Sequence, residues 1–415
     1  MFNGTALNAY VKRRYDPKAI YNEMLSVEDK CFSDIRRETD GSGENYSWLT
    51  DADDDFNGSP DFPTAQNSSN NNNNAVGSKF LSDWNDWSAV AAITSSIIGK
   101  TRNNDGAWMK AVDVAMRKRV KAIAHANAVQ LQGQGWGEVS DITTVVGSTF
   151  VPKTPSDITK YVKGMPLHFA STLNASTLRS ATVLYVTGVS YTVGAELVTL
   201  SATLASVGAV ANDFAFFAGA RQDSATPARI VMTGLGAWFP NQNNAIDASN
   251  STLFTVNRTT NSRLYGTFQN GTTGSAVGAL MDGAQEAITI GNAKKLRCYC
   301  SKNVYKDIAK DLQTAVQYHD NPGSKTVGTR RLTFLSNGDA EATLEVSRTT
   351  NDNQIWGYDP EQVIMRSIGG APHIETEDGL TMARQATAAA WEIRWFQQAI
   401  YEFINAPGGL RVQLV

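Results

Sequence analysis

The chain has 415 residues, 42% hydrophobic and 19% charged, with a formal net charge of −3. That length suits two or three domains with ample core, while the charged fraction falls below the quarter or so usual in soluble proteins, as suits a surface largely covered by neighbours. The slight acidity argues against a surface built to grip nucleic acid tightly, and no run of about eighteen apolar residues offers a membrane span.

Residues 1–45 mix short apolar and charged pieces without a sustained period. Pro17 opens a short helical stretch, Asp16 to Leu25, that buries too little to fold alone and reads as an arm lying on something else. The start, Met1-Phe-Asn-Gly-Thr5, shows no charged leader followed by an apolar core, so no secretory signal is expected. From Tyr46 the chain turns acidic at Asp51, Asp53, Asp54 and Asp55, then Asn-rich from Asn67 to Asn74. The carboxylates have EF-hand-like offsets, yet Phe56 and Phe62 stand where that loop needs Gly and Glu. The run reads as a solvated or neighbour-facing acidic face. Apolar bulk resumes at Phe80, Trp84, Trp87, Val90, Ile93 and Ile97, giving an extended excursion with a polar tip.

The spacing of Met109, Val112, Met116, Val120 and Ile123 predicts a helix over 106–131, with Asp105 as N-cap and a length of about 40 Å. Lys110, Arg117, Lys118, Lys121 and His125 fall on the other side. Gly133-Gln-Gly-Trp-Gly137 follows a helix, not a strand, so it reads as a helix stop instead of a nucleotide loop. Residues 140–219 are rich in short β-branched segments and predict a small antiparallel barrel or sandwich. Helix is expected over 275–288 and 302–316, with a strand over 295–300 and short strands over 331–358. After Tyr358 come a strand over 363–368, an aromatic stretch from Trp391 to Tyr401, and a closing strand from Leu410 that ties the C-terminus into a sheet.

Cys31, Cys298 and Cys300 fit a reducing compartment. Cys298 and Cys300 share one face of a strand and cannot readily bridge each other. They read as buried or free thiols; the sharper alternative is an intersubunit disulfide from Cys31 to Cys298 or Cys300. The histidines, His125, His168, His319 and His373, lack metal-ligand spacing. With no nucleophile elbow, phosphate loop or Cys-x-x-Cys pair, no catalytic, cofactor-binding or metal residue and no cofactor is expected.

Several segments carry a family resemblance: Asp86 to Thr94, Asn104 to Met109, the basic helix, Leu131 to Gly137, Gly234-Leu-Gly-Ala-Trp-Phe-Pro240, and the last fifty or so residues. In this order they resemble a tailed-phage major capsid protein of the Hong Kong 97 fold. The resemblance implies an α+β chain: an N-terminal arm (1–45), an E-loop hairpin (46–100), a spine helix (101–139), an inserted β-rich subdomain (140–219), a peripheral domain (220–274), an axial domain (275–358) and a peripheral return (359–415). It implies a structural, non-enzymatic protein that assembles as hexamers and pentamers into an icosahedral, DNA-containing head shell. Its partners would be other copies of itself, a portal, and decoration or scaffolding proteins. Lys110, Arg117, Lys118 and Lys121 would face packaged DNA in weak, non-specific contact. The location would be the virion, and the host cytoplasm during assembly. Scaffolding would be a separate protein or a removed propeptide. Lys79 and Lys100 lie in or near the hairpin, but nothing selects a crosslinking pair. The rival readings are another virion component, such as a tail or surface-layer protein, and a cytosolic enzyme.

Overall fold

The computed structural model describes residues 29–50, 59–71, 78–95, 105–174, 177–221, 228–242, 246–259, 262–271, 276–313, 332–337, 340–376, 382–385 and 388–414. The Asp16–Leu25 stretch, the acidic run at 51–55 and His319 lie outside them.

Helix α1 (Lys30–Ser33) is capped by Asp29, whose carboxylate accepts the Cys31 N–H. Strand β1 (Arg36–Glu38) then pairs in parallel with residues 364–366 of a strand far along the chain. Cys31, Phe32 and Ile35 are 1%, 1% and 3% exposed and join the main core. The expected arm therefore does not reach residue 45: residues 29–40 bury their apolar side chains in their own subunit.

Strands β2 (Asn45–Thr50) and β3 (Ser78–Asp83) form a two-stranded ribbon from Asn45↔Asp83 to Thr50↔Ser78, with α2 (Phe62–Asn71) between them. Alternation divides its faces. Trp48, Thr50, Phe80 and Ser82 are buried; Ser47, Leu49, Lys79 and Leu81 are exposed. The ribbon ends at Asp83, and β4 (Asn85–Thr94) departs to join a sheet. Helix α3 (Asp105–Gln132) runs 28 residues, and Val112, Met116, Val120 and Ile123 are fully buried along one stripe, as their period requires.

Strands β5 (Glu138–Val146), β6 (Thr149–Pro152), β7 (Pro166–Ala170), β8 (Leu184–Ser190), β9 (Leu197–Leu200) and β10 (Phe214–Phe217) close into a barrel in the order β10-β5-β6-β9-β8-β7. Ile142, Phe150, Leu167, Phe169, Val186 and Val198 fill it, and Ala126 and Val129 of α3 belong to the same cluster. The barrel thus packs on the second half of the long helix.

The remaining elements are α4 (Leu235–Trp238), β11 (Thr252–Leu253), β12 (Val256–Asn257), β13 (Thr267–Gly271), α5 (Ala276–Gly291), β14 (Lys295–Cys300), α6 (Lys302–Gln313), β15 (Leu332–Asn337), β16 (Ala340–Val346), β17 (Gln354–Tyr358), β18 (Val363–Ser367), β19 (His373–Ile374), β20 (Ala383–Arg384), β21 (Ala390–Phe403) and β22 (Leu410–Leu414). One mixed sheet has the order β13-β22-β17-β14-β16-β15, so the closing strand lies inside it. Leu296, Cys298 and Cys300 face α5 and α6 on one side, while Tyr299, Trp356 and Tyr358 enter the main core on the other. In the second sheet β21 is central. It pairs with β4 over Ala390↔Thr94 to Ala399↔Asn85, and with β18, β19 and β20 on its other edge; β1 lies outside β18. The chain is α+β, built from a ribbon, a long helix, a barrel and two sheets.

The loop into α4 runs directly under the C-terminal turn of α3. A Cβ on Gly234 would stand 2.0 Å from the Leu131 carbonyl oxygen. Gly234→Ala must push backbone from backbone, and urea unfolding of the purified chain should show a loss of about 2 kcal/mol. An unchanged midpoint would mean the loop is not held against the helix.

Candidate functional site

The ribbon is held at its root by two kinds of contact. The first is aromatic. Trp48 stacks on Phe80 at 5.5 Å, Phe80 meets Trp238 edge-on at 5.1 Å, and Trp238 stacks on Phe403 at 4.9 Å. The Trp48 indole N–H donates to the Phe403 carbonyl at 3.3 Å. Such pairs add about 1 kcal/mol each beyond the area they bury.

The second is an ionic node on Arg366 of β18. Its Nη1 lies 2.8 and 2.7 Å from the two Asp40 oxygens and 2.5 Å from Glu38 Oε2, and its Nε bonds Glu402 of β21. The guanidinium carbon stands 5.2 Å over the Tyr46 ring, and the Tyr46 hydroxyl donates to Glu402 at 3.2 Å. One cation therefore joins the N-terminal segment, the ribbon and two strands of the sheet. Burial works against the Arg366 charge, but Glu402 and Asp40 outweigh it and raise its pKa above the ordinary arginine value. Arg366 in turn holds the Asp40 carboxyl below the usual range. Burial beside Glu402 pushes the Tyr46 hydroxyl up to about 12. Trp84, leaving the ribbon's other strand, donates to the Gly43 carbonyl at 3.0 Å and tilts against Tyr46 at 5.6 Å.

The N-terminal segment has two further anchors. Burial disfavours the Asp34 carboxylate, yet Lys30 and Arg297 at 2.7 Å and the Tyr299 hydroxyl at 2.9 Å hold its pKa below the ordinary value. Asp29, 2% exposed, accepts from Ser347 Oγ at 3.0 Å, Thr349 N at 3.1 Å and Thr349 Oγ1 at 2.5 Å. The Gln132 side-chain amide, at the end of α3, lies 2.7 and 3.0 Å from the hydroxyls of Thr349 and Thr350. The long helix and the mixed sheet are joined through this polar junction.

Of the basic residues predicted to face outward on α3, Lys118 and Lys121 are exposed, and Arg119 joins them. Arg117 is half-buried and paired with Asp113 at 3.0 Å. The Lys110 side chain lies outside the described residues. His125 leaves that face: its Nε2 is 2.8 Å from the Lys160 carbonyl, and burial against the barrel pulls its pKa down. The thiols of Cys31, Cys298 and Cys300 are all free and buried, and burial pushes each of them up. An intersubunit bond from Cys31 to Cys298 or Cys300 would require unpacking two cores, because the folded subunit presents none of the three at its surface. His168 lies inside with its pKa lowered by burial, and His373 Nδ1 contacts the Gly370 carbonyl at 2.8 Å. Sequence reasoning missed the Arg366 node altogether; a lone arginine in a strand carries no local signal of partners hundreds of residues away.

Among the described residues no group of three or more His, Cys, Asp or Glu is placed to hold a metal, and no helix is long and apolar enough to cross a membrane. No family model and no curated relative matches the sequence. Three similar solved structures illustrate what the chain resembles in outline. The cyanophage A-1(L) capsid asymmetric unit matches at 9% identity over 94% of this chain and 92% of that chain, with a TM-score of 0.44. The satellite phage P4 procapsid with size determination (Sid) protein matches at 9% identity over 99% and 97%, with a TM-score of 0.39. The capsid of an empty GTA particle matches at 8% identity over 92% and 88%, with a TM-score of 0.44.

Two outcomes follow from the root. Asp34 and Asp40 both have folded pKa values below 3.8. Their contribution is therefore complete above that ordinary value and is lost as pH falls through the lower folded ones. Hydrogen exchange should show residues 34–40 losing protection below about pH 4, ahead of the barrel; simultaneous loss in both would contradict this. Arg366→Met strands the buried Glu402 carboxylate and should cost about 3 kcal/mol, with Glu402→Gln in the same chain recovering part of it. A single mutant as stable as the parent would show the node to be idle.

Proposed function

We propose that the chain is the shell subunit of a tailed-phage head, with the Hong Kong 97-type division into peripheral, axial and hairpin parts, and that its work is assembly. One observation carries this reading. The ribbon, pinned at its root, turns large apolar side chains outward that the described residues leave exposed: Leu49 at 70%, Leu81 at 41% and, on α2, Phe62 at 79% exposure. Large apolar side chains exposed on the outer face of an anchored element mark a surface built to be covered by another molecule. Repeated interfaces of this kind, closed by symmetry, give a shell its stability.

On this reading the hairpin and the N-terminal arm clasp neighbouring copies, α3 is the rigid spine, and residues 140–219 form an insertion on its flank. Residues 275–358 meet the axis of hexamers and pentamers, and residues 359–415 complete the peripheral domain. Lys118 and Lys121, with Arg117 and Lys110, give the inner surface a weak, sequence-independent contact with packaged DNA. Portal, scaffolding and decoration proteins are the further partners, met in the host cytoplasm before the subunit becomes part of the virion.

Negative-stain electron microscopy of the purified chain tests this. The parent should form closed shells or rings of five and six. Leu49→Asp with Leu81→Asp, both at exposed positions, should keep the monomer's circular dichroism and abolish those particles. A parent chain that stays monomeric under every assembly condition contradicts the reading, and tubes with axial symmetry would point to a tail component instead.

A further inference from the structure

Helices α5 and α6 cover the same face of the axial sheet, sharing a core in which Ala279, Leu280 and Ala284 join Val304 and Ile308. Their outer faces differ in charge. Across its 16 residues α5 carries Asp282 and Glu286 and no lysine or arginine. These two carboxylates are one turn apart, where like charges repel. Glu286 accepts from Gln269 at 2.8 Å; Asp282 is exposed and has no ion-pair partner among the described residues. Met281 and Ile290 lie on the same helix at 38% and 53% exposure, and a Cβ on Gly278 would meet nothing within 4 Å, so another backbone can approach closely there.

Helix α6 carries three lysines beside two aspartates, Asp307 and Asp311. Lys302, Lys306 and Lys310 recur at every fourth position, all exposed, in one row along the helix. Lys310 reaches Asp307 only at 3.8 Å, and Lys302 and Lys306 have no ion-pair partner among the described residues. Among the described residues, Asp282 on α5 and Lys302 and Lys306 on α6 are thus left without an ion-pair partner.

We propose that the acidic face of α5, flanked by Met281 and Ile290, seats against the lysine row of α6 on the next copy, head to tail around a ring. A contact between two different patches of one chain is heterologous and closes into a ring when its rotation allows. The opposed charges set register and speed encounter, while the two apolar side chains supply buried area. This rests on the shell reading and identifies the surface through which copies of the subunit join.

Charge exchange tests it. Asp282→Lys alone, and Lys302→Glu with Lys306→Glu alone, should each cut the yield of rings or shells about tenfold or more in low salt, because each places like charges in contact. All three changes together restore opposite charges and should bring the yield back to within a few-fold of the parent. Circular dichroism and thermal midpoints of the monomers should be unchanged, since every position is exposed. Assembly of either partial variant at the parent's level overturns the pairing, as does a folded triple variant that fails to recover. A parent chain that never assembles would instead bring down the shell reading itself.

Discussion

The direction of the β2–β3 ribbon depends on its root. A two-stranded ribbon is marginal on its own in water, so something must hold both its strands and its angle. Trp48 and Phe80 supply the hold by entering the aromatic stack on Trp238 and Phe403. Arg366 supplies the angle, because a guanidinium bonded to Asp40, Glu38 and Glu402 and lying over Tyr46 has little freedom left. With the inner face committed to the chain's own core, Leu49 and Leu81 on the outer face stay exposed among the described residues.

The rest of the molecule provides rigid backing for that root. Helix α3 lies between three bodies: its Val112–Ile123 stripe faces the β4–β21 sheet, its second half packs on the barrel, and its last residue, Gln132, bonds the loop beyond β16. Asn127 reaches Gln397 of β21 at 3.0 Å inside this core, and the Tyr401 hydroxyl donates to the Asn127 carbonyl at 2.9 Å. Buried polar pairs of this kind favour one arrangement of the packed elements over sliding alternatives. The mixed sheet joins through Tyr299, Trp356 and Tyr358, so a load on either sheet passes through one continuous core.

Much of this was legible wherever a local period decides the structure. The Val112, Met116, Val120 and Ile123 stripe announced the long helix, and Cys298 and Cys300 announced a shared strand face. The β-branched texture after Ser140 announced a barrel or sandwich, and closure of six strands decides for the barrel. What failed was non-local. Nothing near Arg36 signals a parallel partner at Ile364, so residues 29–40 read as part of an arm lying on something else. His125 sits on the helix side that period alone assigns to solvent, but the barrel covers it. The inward side of the ribbon did leave a trace, since Tyr46, Trp48 and Thr50 alternate with Asn45, Ser47 and Leu49; the acidic and Asn-rich tip obscured it.

The most direct test of the account is a density map of the assembled particle. It should show the ribbon lying across an adjacent subunit with Leu49 and Leu81 covered, while Arg366 still lies over Tyr46 within its own chain. A ribbon folded back on its own subunit, or a root rebuilt on assembly, would contradict the claim that the root sets the direction in which the subunit reaches its neighbour.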